Sequence, residues 1–204
     1  MITKIQYEIF DSFFKYYNEK LFDGKLKDCM IITNRQKRTT GHFRPQTWKN
    51  KKSKTEPDIH EISINPDFLD HEWQQTLVHE MVHLWQQDYG KPSRKGYHNS
   101  EWAQKMETIG LMPSSTGKPD GKKTGQKIAD YPISNGLFME AFNYLKGKNI
   151  KYISQTFIES AKTGTKNTSR SKIKYTCFCG NNVWGKPNLI VICAACNSQF
   201  IQAD

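Results

Sequence analysis

His79, Glu80 and His83, within the stretch QTLVHEMVHLWQQDYG, have the types and spacing to do chemistry. Four positions along a helix are close to one turn. The two imidazoles therefore share a face and can point at one ion, with Glu80 about 100° around beside them. Two neutral imidazoles and a third protein ligand make a zinc site with one open position, where water ionises near pH 7. Glu80 could then take a proton from the attacking water and hand it to a leaving amine. With six histidines in 204 residues, a His-Glu-x-x-His match arises by chance about one time in a hundred. The apolar neighbours Leu77, Val78, Met81, Leu84 and Trp85 bury the helix, and buried imidazoles need partners.

A third ligand is required, and His42, His60, His71 and His98 are the histidine candidates. His98 is preferred, because the loop KPSRKGY after His83 is long enough to reverse the chain before a capped helix. Glu101 is the weaker substitute. Asp88 is too near on the same helix, and His42 and His71 read as structural.

A second cluster of metal-ligand residues lies in YTCFCGNNVWGKPNLIVICAACNSQF. Two cysteine pairs, Cys177 with Cys179 and Cys193 with Cys196, flank a spacer of hairpin length, the pattern of a four-thiolate zinc ribbon. The first pair is one residue closer than is usual. Such a site has no open position, so its zinc is structural and folds a segment too small for a core of its own. Tyr175, Trp184 and Lys186 beside it could stack on bases and hold phosphate. Cys29 stands alone and reads as a buried apolar residue.

These groups need elements to hold them. Apolar residues recur with helical period from Ile2 to Phe22, ending near Gly24. CMIIT, RTTGHFRP and HEISINP read as strands of a short antiparallel sheet, and HEISINP could pair edge-on with an extended substrate. The motif helix ends at Gly90, and Asn99 or Ser100 starts another helix that stops at Gly110. SSTGKPDGKKTGQKIAD reads as a linker or exposed loop. The expected organisation is a metal-binding domain over residues 1–113, a flexible basic linker over 114–130, a helical and basic connecting segment over 131–174, and the ribbon over 175–204.

The net charge of +10 is unevenly distributed. Residues 56–113 hold ten acidic and four basic side chains, whereas the flanks hold 26 basic and ten acidic. Basic flanks suit a phosphate backbone, and the acidic centre suits a cleft that faces polypeptide. No run is apolar enough to span a bilayer, and charges interrupt the N-terminal stretch. The expected location is the cytoplasm, at the nucleoid if the source is prokaryotic.

In order along the chain, NEKLFDGKL, TTGHF, ISINP, TLVHEMVHLWQ, GYHNSEWAQKMETIGL and the cysteine ribbon resemble the SprT-like, Spartan-related family of zinc metalloproteases. The resemblance implies an α+β fold: a small gluzincin-like zincin domain plus a C-terminal β zinc ribbon. It also implies one catalytic zinc on His79, His83 and His98, Glu80 as acid and base, and one structural zinc on the ribbon. The implied partners are DNA, single-stranded or junction-containing, and proteins on it, including DNA–protein crosslinks. Residues 114–174 match nothing in that pattern. The competing readings are a DNA-binding zinc protein with a non-catalytic site, and a metal hydrolase with a non-protein substrate.

Overall fold

The computed structural model describes residues 1–37, 39–49, 51, 58–69, 73–148 and 172–202. His71 and residues 149–171 lie outside these. The chain divides into two compact units, Met1–Thr156 and Phe157–Asp204. Among the described residues no helix is long and apolar enough to cross a membrane.

The first unit is a mixed α+β structure. Helix α1 (Ile2–Phe22) buries Phe10, Phe13, Phe14, Tyr17, Leu21 and Phe22, the face that its sequence period predicts. It ends on Asp23 and Gly24, both in the left-handed region. Strands β1 (Met30–Thr33), β2 (Gly41–Trp48) and β3 (Ile59–Ile64) follow. They form one sheet in the order β1-β3-β2, with β1 parallel and β2 antiparallel to β3. The sheet is therefore mixed, a correction to the antiparallel expectation. It also removes HEISINP as an edge strand: β3 is central and paired on both sides, and β1 and β2 are the edges.

Helix α2 (Trp73–Tyr89) carries the histidine motif against this sheet. Leu77, Val78, Met81, Val82 and Leu84 are all fully buried, so packing on several sides fixes the helix axis. At Gly41 β2 comes close to α2. A Cβ built there would lie 2.6 Å from Thr76 Cγ2 and 2.9 Å from the Ser63 carbonyl. Gly41→Ala is expected to destabilise the unit by about 1–3 kcal/mol through overpacking, read by denaturant titration. Unchanged stability would mean that the sheet edge yields freely.

Helix α3 (Ser100–Thr108) is capped by Asn99, whose side chain accepts from the Trp102 amide at 3.0 Å. Beyond it the expected linker proves to be part of the fold. Strands β4 (Leu111–Ser114) and β5 (Ala129–Pro132) pair antiparallel, and Ile128 joins the core. Helix α4 (Leu137–Gly147) buries Phe138, Ala141 and Leu145. Tyr144 stacks on Tyr16 of α1 at 5.5 Å. Residues 131–148 thus belong to the first unit and are not a connecting segment. Cys29 is partly buried against this core, and burial pushes its thiol up to about 12.

In the second unit β6 (Ile173–Thr176) pairs antiparallel with β7 (Asn182–Gly185) and with the short β8 (Ile201–Gln202). Its core is Tyr175, Cys177, Cys193 and Phe200. Two aromatic rings and two thiols, with Ile173, Val183 and Val191 partly buried against them, are too little apolar area to order such a segment unaided.

Candidate metal centres

Helix α2 sets His79 and His83 one turn apart, and the turn before α3 brings His98 to them. One ligand atom from each lies within 4.8 Å of the others. His79 Nδ1–H donates to Asp130 Oδ2 at 2.7 Å, and His98 Nδ1 lies 3.2 Å from the Gly125 carbonyl. With each Nδ1 proton engaged, Nε2 keeps its lone pair. His83 Nε2 and His98 Nε2 stand 3.2 Å apart. Lone pairs gathered this closely repel unless a cation lies near them, so the donor set fits a metal ion. Imidazole ligands suit zinc among several transition metals.

The surroundings hold these rings still. The Trp102 ring lies 4.9, 5.3 and 4.3 Å from the rings of His79, His83 and His98. Burial drives the His83 imidazole well below its ordinary pKa, and burial with the His79 charge lowers His98 to about 4. Burial also opposes charge on His79, but the Asp130 hydrogen bond and the Glu80 and Asp130 carboxylates outweigh it and raise that group. Glu80, on the next position of α2, is raised by burial to about 7, against the His79 charge and a backbone hydrogen bond from Phe43. An open cleft of about 1610 Å³ exposes this floor, with β2 on one side and the loop around Tyr97 among its other walls.

The remaining candidates stand outside that cluster. His60 accepts from the Gln46 amide at Nδ1 and bonds Asp88 through Nε2 at 3.1 Å. His42, 3.8 Å from Glu61, lines the same cleft but is not one of the three clustered imidazoles. Glu101 accepts from Gln86 and from the Lys91 amide, so it serves the α2–α3 connection.

Sequence reasoning missed Asp130 and Gly125. Asp130 Oδ1 also accepts from Gln75 Nε2 at 2.7 Å, which ties β5 to α2 at two points. Gly125 pairs both ways with the His98 backbone, at 2.8 and 3.0 Å. Its φ of 146° is a conformation that favours glycine. Asp130→Asn keeps the volume but weakens the bond to His79, and is expected to lower zinc affinity at the cleft about 10–100-fold in a chelator competition. Unchanged affinity would reduce Asp130 to a structural tie.

In the second unit Cys177, Cys179, Cys193 and Cys196 bring their sulfurs within 4.8 Å of one another. Cys177 and Cys179 Sγ are 3.1 Å apart, well beyond the roughly 2.05 Å of a disulfide. Gly180, at φ 85°, closes the short first pair, and Asn197, at φ 55°, closes the second. Asn181 Nδ2 reaches the sulfurs of Cys179 and Cys193. Four thiolate donors with amide support fit a closed zinc site. Trp184 is 60% exposed and Lys186 is exposed, but Tyr175 is 4% exposed. The Tyr175 hydroxyl donates to the Lys186 carbonyl and accepts from the Leu189 amide. Tyr175 is therefore a core residue and offers no stacking face.

The family model for the SprT-like family matches residues 10–123, more than half of the chain. The chain belongs to the SprT-like family. SprT-like domains are generally zinc-dependent and of the metallopeptidase type. The SprT-like match spans His79, Glu80, His83 and His98 but stops short of Gly125 and Asp130. No curated protein matches this SprT-like chain closely enough to add to that.

Proposed function

We propose that the chain is a zinc endopeptidase with a zincin-type site that binds DNA and cleaves proteins associated with or crosslinked to it. The observation that carries the reading is the convergence of three imidazoles beside a buried carboxylate on the floor of an open cleft. His79, His83 and His98 would hold the catalytic zinc, and the four cysteines a structural one. Bound zinc supplies Lewis acidity that polarises a scissile carbonyl. Glu80 takes the proton of the attacking water on its carboxylate and delivers it to the leaving nitrogen. Asp130 and the Gly125 carbonyl keep two imidazoles in the tautomer and orientation that binding needs.

An extended substrate fits along β2, an edge strand that borders the cleft over Gly41–Arg44, where it would take over the Gly41 carbonyl from the Thr39 hydroxyl and the Phe43 amide from Glu80. Pro45 and the irregularity between Arg44 and Trp48 end that edge, so the added strand would be short. DNA association is supported by the net charge and by Trp184, which lies across from Lys174 on the outer face of the ribbon hairpin. The test is metal analysis with a cleavage assay on a DNA-binding protein, with and without single-stranded DNA. Two zinc ions per chain and DNA-stimulated cleavage are expected; cleavage that survives removal of all metal would overturn the reading.

A further inference from the structure

Along the sequence Lys91, Arg94 and Lys95 fall inside the net acidic centre, yet the fold removes them from it. The His98–Gly125 backbone pairing draws the 91–97 loop against the 118–127 loop, and Gln126 Nε2 donates to the Lys95 carbonyl at 3.2 Å. The second loop adds Lys118, Lys122, Lys123 and Lys127. All seven cationic residues are exposed. Among the described residues the acids shown close to them are few: Glu107 bonds Lys123 at 3.0 Å, Glu101 accepts from the Lys91 amide at 2.7 Å, and Asp120 is the one acid within the two loops. Arg94, Lys95 and Lys127 line the same cleft as His79, Glu80 and His98. The carboxylates of Glu80 and Asp130 lie on its floor, so the positive charge is confined to the rim.

We infer that this rim, formed by the 91–97 and 118–127 loops, binds the phosphate backbone of single-stranded nucleic acid. It rests on the proposed DNA association and gives that association a second surface, in the peptidase unit itself. Like charges gathered on two adjoining loops repel one another, and a closely spaced row of phosphates relieves that repulsion at several points at once. An acidic peptide presents charge too sparsely to engage both loops. Arg94 is already stacked on Tyr97, with its guanidinium carbon 5.0 Å from the ring centre, so a planar cation faces the strand. A strand held here carries any attached polypeptide to the cleft mouth, while the rim takes no part in the bond-breaking step.

The experiment uses the full chain, a fluorescein-labelled oligothymidine and anisotropy titrations across a range of salt. The variant Arg94→Gln/Lys95→Gln/Lys122→Gln/Lys127→Gln is compared with wild type and with Trp184→Ala. Each lost contact to a single strand removes about 0.7 from the slope of log affinity against log salt, so the rim variant should lose about 2–3 units. Lys95→Arg/Lys122→Arg/Lys127→Arg keeps the charge and should keep the slope. A wild-type slope in the rim variant overturns the inference, and if that variant instead loses cleavage of acidic peptides, the rim reads substrate side chains. Glu80→Gln should retain the full slope. Cleavage persisting in Glu80→Gln would sink the peptidase reading and leave the rim assignment standing.

Discussion

Glu80→Gln is expected to leave both zinc ions bound and to lower peptide-bond cleavage by about 10²–10⁴-fold, the usual contribution of a positioned general base. The amide keeps the size of the side chain and its place on α2, between His79 and the apolar positions that fix the helix. It cannot accept the proton of an attacking water. Because Glu80 is 6% exposed, the substitution also removes a buried carboxyl that burial strains, so thermal stability should hold or rise. The decisive measurement pairs metal content with turnover on one preparation. Turnover near wild type at full zinc loading would exclude the proposed role, and loss of zinc would assign Glu80 to holding the site.

Cys193→Ser should have the largest effect on folding. Structural zinc contributes on the order of 10–16 kcal/mol of apparent binding energy in small metal-dependent domains. Among the described residues Tyr175 and Phe200 are the two large buried side chains of this cluster beside Cys177 and Cys193, with Ile173, Val183 and Val191 partly buried against them. Removing one thiolate is expected to reduce zinc from two ions to one per chain and to open the Ile173–Gln202 region to limited proteolysis. The first unit should stay resistant, since among the described residues its core is built from the elements between α1 and α4. A ribbon that remains protease-resistant with one zinc lost would show that its fold does not depend on metal.

How much of this was legible in the sequence depends on what orders each element. Helix α1, the motif helix and α3 were legible because burial of an apolar stripe leaves a period in the sequence. His98 was legible because a capped helix follows directly and fixes where the chain turns back. Residues 114–130 were not, since their order comes from backbone pairing at Gly125 and from Ser114, whose Oγ accepts from the Thr116 and Lys118 amides. Such bonds leave a Gly-, Ser- and Lys-rich stretch looking like a linker. Asp130 was hidden for the same reason, as one carboxylate in an apparently unstructured run. Tyr175 could have been read correctly: strand alternation puts Ile173, Tyr175 and Cys177 on one face and Lys174 on the other. The parallel β1–β3 pair had no local signal, because strand order is set by the whole unit.

Asp130 and Gly125 also have a consequence for the order in which the proposed site is assembled. The helix with His79, Glu80 and His83 is complete at Tyr89, but the groups that orient His79 and His98 emerge from the ribosome about forty residues later, a delay of a few seconds at typical synthesis rates. A nascent or prematurely ended chain therefore carries the whole motif without the parts that aim it. The order of synthesis thus makes the late strand the last part of the proposed site to arrive.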